Sequence, residues 1–184
     1  PYWLPEPNPS FLAATTQPPS SLRIAFTTDL TPIGKADATC QLAVLDVVKL
    51  LEELGHRVEQ GCPDFTYLTE PFTTVWQAGV ASAGIPKELL QPMNQWLLER
   101  NGSAGEYLQA VAQMQIIARR IVAFFDTVDV LILPTYLHPT IRVGEWADLS
   151  PEETFQKIID WVAPCPPFNA SGQPAIALPT GFDS

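Results

Sequence analysis

Cationic side chains are scarce in this sequence. Ten lysines and arginines stand against twenty aspartates and glutamates, a formal net charge of −10. Such a balance repels a phosphate backbone and leaves no basic stripe, so nucleic acid is not an expected partner. Cysteine is also rare: Cys40, Cys62 and Cys165 are odd in number and lack CxxC spacing, which argues against both a disulfide framework and a zinc site. The only histidines are His56 and His138, so no metal is expected, and no motif calls for a cofactor. No apolar run approaches the ~20 residues that cross a bilayer, and no basic stretch followed by an apolar one opens the chain. Membrane insertion and export are therefore not expected, and a reducing cytoplasm is the default compartment. The chain starts at Pro1 instead of a methionine and stops at Ser184 just after an expected strand, the mark of a segment of something longer.

What is present is enough apolar material for a core: 46% of the 184 residues are hydrophobic. Residues 1–19 are rich in proline, Asn and Ser, a composition that predicts an extended arm. Its Tyr2, Trp3, Leu4, Phe11 and Leu12 are too apolar for a free tail, so the arm is expected to lie against a surface. The remainder, residues 20–184, reads as one α/β unit.

That unit opens with a strand over residues 22–27, rich in apolar and aromatic side chains. Asp37 then caps a helix carrying Val44, Val47, Val48, Leu51 and Leu54, and Gly55 closes it. His56 to Glu59 is a second strand. A strand, helix, strand order predicts parallel pairing with a right-handed crossover. Helices follow around Phe72 to Val80, around Leu89 to Leu97 with Pro86 in the first turn, and from a capping box at Ser103 and Glu106. The last of these is expected to bury Leu108, Val111, Gln115, Ala118, Val122 and Phe125.

Asp129 to Leu133 is an unbroken apolar strand of the kind covered on both faces. Its carboxyl end runs into Thr135-Tyr136-Leu137-His138, where ligands sit in open α/β sheets. A helix capped by Ser150, with Pro151 and Glu153, buries Phe155, Ile158, Ile159 and Val162. After it, Pro164, Pro166 and Pro167 argue against helix, and Ala175 to Leu178 reads as a closing strand behind the Asn169-Ala-Ser-Gly172 turn.

No catalytic engine stands out from these residues. Cys165 with His138 is a conceivable nucleophile and base, but nothing marks the thiol as a thiolate. Ser171 lacks a neighbouring base and the Gly-x-Ser-x-Gly elbow, so capping a turn is its expected role. His56 follows a helix end and reads as structural, Asp126 and Asp129 as turn formers, and Trp76 and Trp96 as core. Asn101 and Asn169 each start a glycosylation pattern, taken as coincidence because no secretion signal accompanies them.

From Asn169 to Gly181, however, the sequence resembles the late segment of amidase signature enzymes. Asn169, Gly172, Pro174, Ala175, Pro179 and Gly181 follow that family's order. The strand at Leu22, the Leu51-Glu-Glu-Leu-Gly-His-Arg-Val58 helix end, Asp129 to Thr135, and Gly144-Glu145 agree with it in sequence. The resemblance implies part of an α/β/α sandwich, a mixed sheet with helices on both faces, and hydrolysis of carboxamides. It further implies a serine nucleophile, a second serine on a cis peptide bond and a lysine base. No glycine-rich stretch with paired serines occurs here, Ser20-Ser21 does not match, and Lys35, Lys49, Lys87 and Lys157 match no catalytic lysine. The triad is expected upstream of Pro1, and the chain alone is expected to be inactive. What remains to this segment is substrate binding by Thr135, Tyr136, Leu137, His138, Phe168 and Asn169. Its expected partners are a small-molecule amide and the N-terminal part of the same protein, with a homodimer as a further possibility. Two alternatives stay open: a non-catalytic binding or regulatory module, and the amidase-like subunit of a transamidation complex.

Overall fold

Strand β1 (Arg23–Phe26) is the middle of a three-stranded sheet, and its Ile24 and Ala25 are buried. The computed structural model describes residues 5–182; Tyr2, Trp3 and Leu4 lie outside them. β1 is flanked by β4 (Arg57–Gln60) and β5 (Val130–Ile132), and both pairings are parallel, with Ile24 opposite Val58 on one side and Val130 on the other. Antiparallel pairing is confined to a separate ribbon, β2 (Asp29–Leu30) with β3 (Gly34–Lys35). The main sheet is thus parallel among the described residues, where a mixed sheet was expected.

Helix α2 (Ala38–Glu53) makes the crossover from β1 to β4. The Asp37 carboxylate accepts from the Cys40 amide, Val44 and Val48 are buried, and Gly55 takes φ +87° beyond the helix end, as a left-handed closure requires. Leu54 is the cap residue itself and lies exposed, outside the stripe expected to hold it. After β4 come α3 (Thr69–Ser82), a single 3-10 turn at Lys87–Leu89, α4 (Pro92–Glu99) and α5 (Ala104–Phe124). The proline that opens α4 is Pro92, not Pro86, since only Pro92 stands where the helix needs no amide donor.

Ser103 and Glu106 form the capping box of α5 with both reciprocal bonds. The face α5 buries is Ala110, Ile117 and Ile121, with Met114 packed beside them. Leu108, Gln115 and Val122, expected inside, are exposed. The helix carries two apolar stripes, and a period alone cannot choose between them.

β5 occupies an edge of the sheet and is only half-buried, so it is not covered on both faces as expected. Arg23 fastens it to β1: Nη2 donates to Asp129 Oδ1 at 2.7 Å, Nε to Oδ2 at 3.2 Å, and the Arg23 amide to Oδ2 at 2.8 Å. These bonds, the guanidinium's first, pull the Asp129 carboxyl down to about 2. An unfolded aspartate titrates near pH ~3.9. The contribution is therefore complete above that value and is lost as pH falls through it towards 2. We expect the melting temperature of Asp129→Asn to depend less steeply on pH between 4 and 2 than that of the parent; identical slopes in a thermal titration would remove Asp129 from this role.

α6 (Pro151–Val162) starts at the expected Ser150 and Glu153 box and buries Phe155. Several of the remaining expectations are corrected. Residues Pro166–Ser171 form a short helix, α7, because Pro166 and Pro167 occupy its first turn, where a missing amide hydrogen costs nothing, and Gly172 closes it at φ +70°. Residues 173–182 form no strand: among the described residues no ladder partner pairs with them, and Ile176 and Leu178 are exposed. In the arm, Phe11–Ala14 is a helical turn, α1, capped by Ser10, where an extended path was expected, and Phe11 and Leu12 are exposed instead of packed.

The core gathers where the ribbon, the β4–α3 connection, α5, the loop after β5 and the α6–α7 junction converge, on Leu30, Phe65, Leu68, Ile117, Ile121, Leu137 and Ala163. Among the described residues no helix is long and apolar enough to cross a membrane.

Candidate functional site

Pro134 ends β5 and is buried; the four residues after it differ in environment. Thr135 and Tyr136 are exposed, Leu137 is buried in the core, and His138 is half-buried. The loop is held on both sides. The Leu137 amide donates to Trp161 O on α6 at 3.0 Å, and the Leu137 carbonyl accepts from the Asp37 amide at the head of α2 at 2.7 Å. Gly34 lets the ribbon come close, because a Cβ there would sit 3.0 Å from Leu137 Cδ1.

Trp161 is the plate on which the loop rests. The Tyr136 ring lies 4.8 Å from it, and the His138 imidazole stacks on it at 5.6 Å and 14°. The indole Nε1 donates to the His138 carbonyl at 2.9 Å. His138 Nδ1 is 2.8 Å from Pro139 O. A carbonyl only accepts, so Nδ1 carries the hydrogen and Nε2 keeps the lone pair in the neutral ring. Trp146 stands edge-on to both rings, and with Thr140, Ile141, Glu145 and Lys157 it lines an open groove of about 300 Å³ beside His138.

A second groove of about 320 Å³ lies between α3 and the α6–α7 junction, walled by Phe72, Val75, Trp76, Val162, Cys165 and Asn169. Phe168 is turned away from it, edge-on to Phe65 at 6.3 Å, and packs on the core. The six residues expected to bind substrate are therefore divided. Leu137 and Phe168 serve the core, Thr135 and Tyr136 are on the surface, His138 lines the first groove and Asn169 the second. One bond joins the two loops, from Cys165 Sγ to Thr135 O at 3.8 Å.

No signal in the sequence marks Trp161 or Trp146 for this grouping: Trp161 lies outside the stripe of Phe155, Ile158, Ile159 and Val162, and Trp146 lies in an irregular segment with no periodicity.

The other chemical candidates are occupied. Burial pushes the Cys165 thiol up, away from thiolate, and burial foremost lifts Cys62 to about 11. His56 accepts the Leu22 amide through Nδ1 at 3.2 Å, which ties α2's end to β1. Ser171 Oγ donates to Gln173 Oε1, and Ser21 Oγ to Gly55 O. All four lysines, at 35, 49, 87 and 157, are exposed, and the Glu99 carboxylate holds the Lys87 ammonium above its usual range. None sits in the dry environment that a lysine base requires.

The sequence model of the Amidase family matches residues 1–184. The chain belongs to the amidase family. A candidate amidase of Synechocystis sp. (strain ATCC 27184 / PCC 6803 / Kazusa) is 49% identical over 183 residues, covering 100% of this chain and 36% of that protein. The candidate amidase AmiC of Mycobacterium tuberculosis (strain ATCC 25618 / H37Rv) is 30% identical over 171 residues, covering 86% of this chain and 36% of its own length. The chain thus spans about a third of the length of these relatives. Its fold superposes on 6-aminohexanoate cyclic dimer hydrolase with a TM-score of 0.84 at 22% identity, over 100% of this chain and 43% of the hydrolase. Over that stretch this amidase chain shares the hydrolase's fold, and its own described three-stranded sheet is parallel.

Proposed function

We propose that the chain is the C-terminal segment of a cytoplasmic amidase that hydrolyses the C–N bond of a small or linear carboxamide. Family membership supports the reaction class. The serine, cis-serine and lysine set lies in the longer polypeptide upstream of Pro1. There the lysine acts as base once desolvation neutralises it, and backbone amides stabilise the oxyanion that forms only in the transition state.

The part assigned to this chain is a wall of the amide-binding site. The observation that carries it is the loop at the carboxyl end of β5, where Tyr136 and His138 are presented on the Trp161 plate and bonded through Thr135 to the residue that opens α7. Tyr136 offers an aromatic face to the acyl or amine portion, and Asn169 offers an amide able both to donate to a carbonyl and to accept from an amine. Leu137 and Phe168 hold these groups in place from the core.

In the full-length enzyme, Tyr136→Ala and Asn169→Ala are each expected to raise KM about 3- to 10-fold with a smaller change in kcat, the signature of lost ground-state contacts. Steady-state kinetics over a panel of aliphatic and aromatic amides reads this out. Unchanged KM and substrate range in both variants would take the loop out of the site.

A further inference from the structure

The two grooves beside the strand-end loop differ in chemistry. The one at His138 carries Glu145 and Lys157. The one between α3 and the α6–α7 junction carries, among the described residues, no ionisable side chain except the Cys165 thiol, which burial keeps protonated. A carboxylate or an ammonium entering this second groove would leave its water and find no charged partner.

Both α3 and α7 pack on α5, and the groove is the gap left between them. Two of its walls are braced from behind. The Trp76 indole rests on Phe155, 5.4 Å away, and Phe72 packs on the core. A cleft held open in this way needs no reordering to accept a ligand. Its one amide side chain, Asn169, is exposed at the rim and is engaged by no other side chain among the described residues. Apolar and aromatic walls with a single polar group at the mouth are the anatomy of a small-molecule site, and they match a hydrocarbon body that ends in a carboxamide. An apolar cavity of ~150 Å³ holds benzene, so this groove of about 320 Å³ takes a phenyl ring or an alkyl chain of about six to eight carbons.

We propose that this groove is the subsite for the hydrocarbon portion of the amide. In this assignment Val75 and Trp76 set its specificity, favouring neutral amides that bear a phenyl group or a medium-length alkyl chain over acetamide-sized and charged ones. The bond from Cys165 Sγ to Thr135 O makes the groove continuous with the loop that carries Tyr136 and His138. This inference rests on the reading of the chain as part of an amidase.

The test assays the full-length protein that contains this chain with acetamide, hexanamide, benzamide and adipamate, in which a carboxylate replaces the terminal methyl group of hexanamide. kcat/KM for hexanamide and for benzamide is expected to exceed that for acetamide at least about 100-fold, the effect of burying several carbons, and hexanamide is expected to exceed adipamate at least about 10-fold. Val75→Phe, which fills the groove and leaves Trp76 and Phe155 in place, is expected to lower the hexanamide-to-acetamide ratio about 10-fold. Trp76→Ala is expected to lower it as much, with Trp76→Phe between it and the parent. Because each ratio is taken within one protein sample, partial unfolding of a variant cancels from it. A ratio near one in the parent, adipamate matching hexanamide, or an unchanged ratio in Val75→Phe overturns the subsite. An unchanged ratio together with a lowered melting temperature in Val75→Phe also overturns it and gives the groove to a covering segment of the polypeptide. If the full-length protein hydrolyses no amide, calorimetric dissociation constants for the same compounds supply the ratio. A preference for hexanamide that Val75→Phe removes then sinks the activity alone, and any other result sinks the subsite as well.

Discussion

Purified by itself, the 184-residue chain is expected to hydrolyse carboxamides no faster than buffer, at least about 10⁶-fold below the full-length enzyme. Amide hydrolysis needs an activated nucleophile, a base poised to take its proton and donors aimed at the oxyanion. Each group here that resembles one of these is committed elsewhere. Cys165 is held as a thiol by burial and bonds to Thr135 O; Ser21 and Ser171 donate to Gly55 O and Gln173. His56 takes the Leu22 amide, His138 donates to Pro139 O, and every lysine is solvated. Ammonia release from hexanamide and benzamide, followed over days against the full-length enzyme, measures the difference. Turnover by the chain that co-purifies with it through two columns would refute the expectation and place a nucleophile within these residues.

Phe155→Ala is expected to cost about 3–5 kcal/mol of stability, roughly 6–20 °C in melting temperature. Phe155 is buried between two indoles, 5.4 Å from Trp76 on α3 and 5.2 Å from Trp96 on α4, so one ring joins three helices. Arg100 covers the outer face of Trp96, with its guanidinium carbon 4.1 Å from the ring centre. Removing the phenyl group loses its transfer free energy, opens a cavity between rigid rings that cannot collapse, and forfeits two aromatic contacts. Phe155→Leu keeps most of the volume and is expected to lose less than half as much. Urea unfolding of the three proteins decides the matter: a loss below about 1 kcal/mol in the alanine variant would mean that the helices are held together by something else.

Legibility in the sequence followed how local each signal was. Asp37, Ser103 and Ser150 announced helix starts because a cap is made by residues three apart, and all three make the expected bonds. The β1, α2, β4 order implied parallel pairing, which the register confirms. Pro164 to Pro167 misled because proline is hostile only to a helix interior, and here two prolines open the helix instead. Ala175 to Leu178 misled for the opposite reason: strand composition is a local property, whereas a strand exists only with a neighbour to bond it. Of the residues expected to bind substrate, His138 and Asn169 each line a groove, whereas Leu137 and Phe168 turn inward, since a loop residue's direction depends on what packs beneath it.

The sequence by itself determined the helix caps, the β1, α2, β4 succession and membership of the amidase family, all of which reside in short patterns and their succession. Only the tertiary structure decided which of the two apolar stripes of α5 is covered, that β5 is an edge, and that Trp161 carries Tyr136 and His138. Those outcomes depend on which surfaces far apart in the chain meet, and burial is a property of the pair that meets and not of either stretch alone.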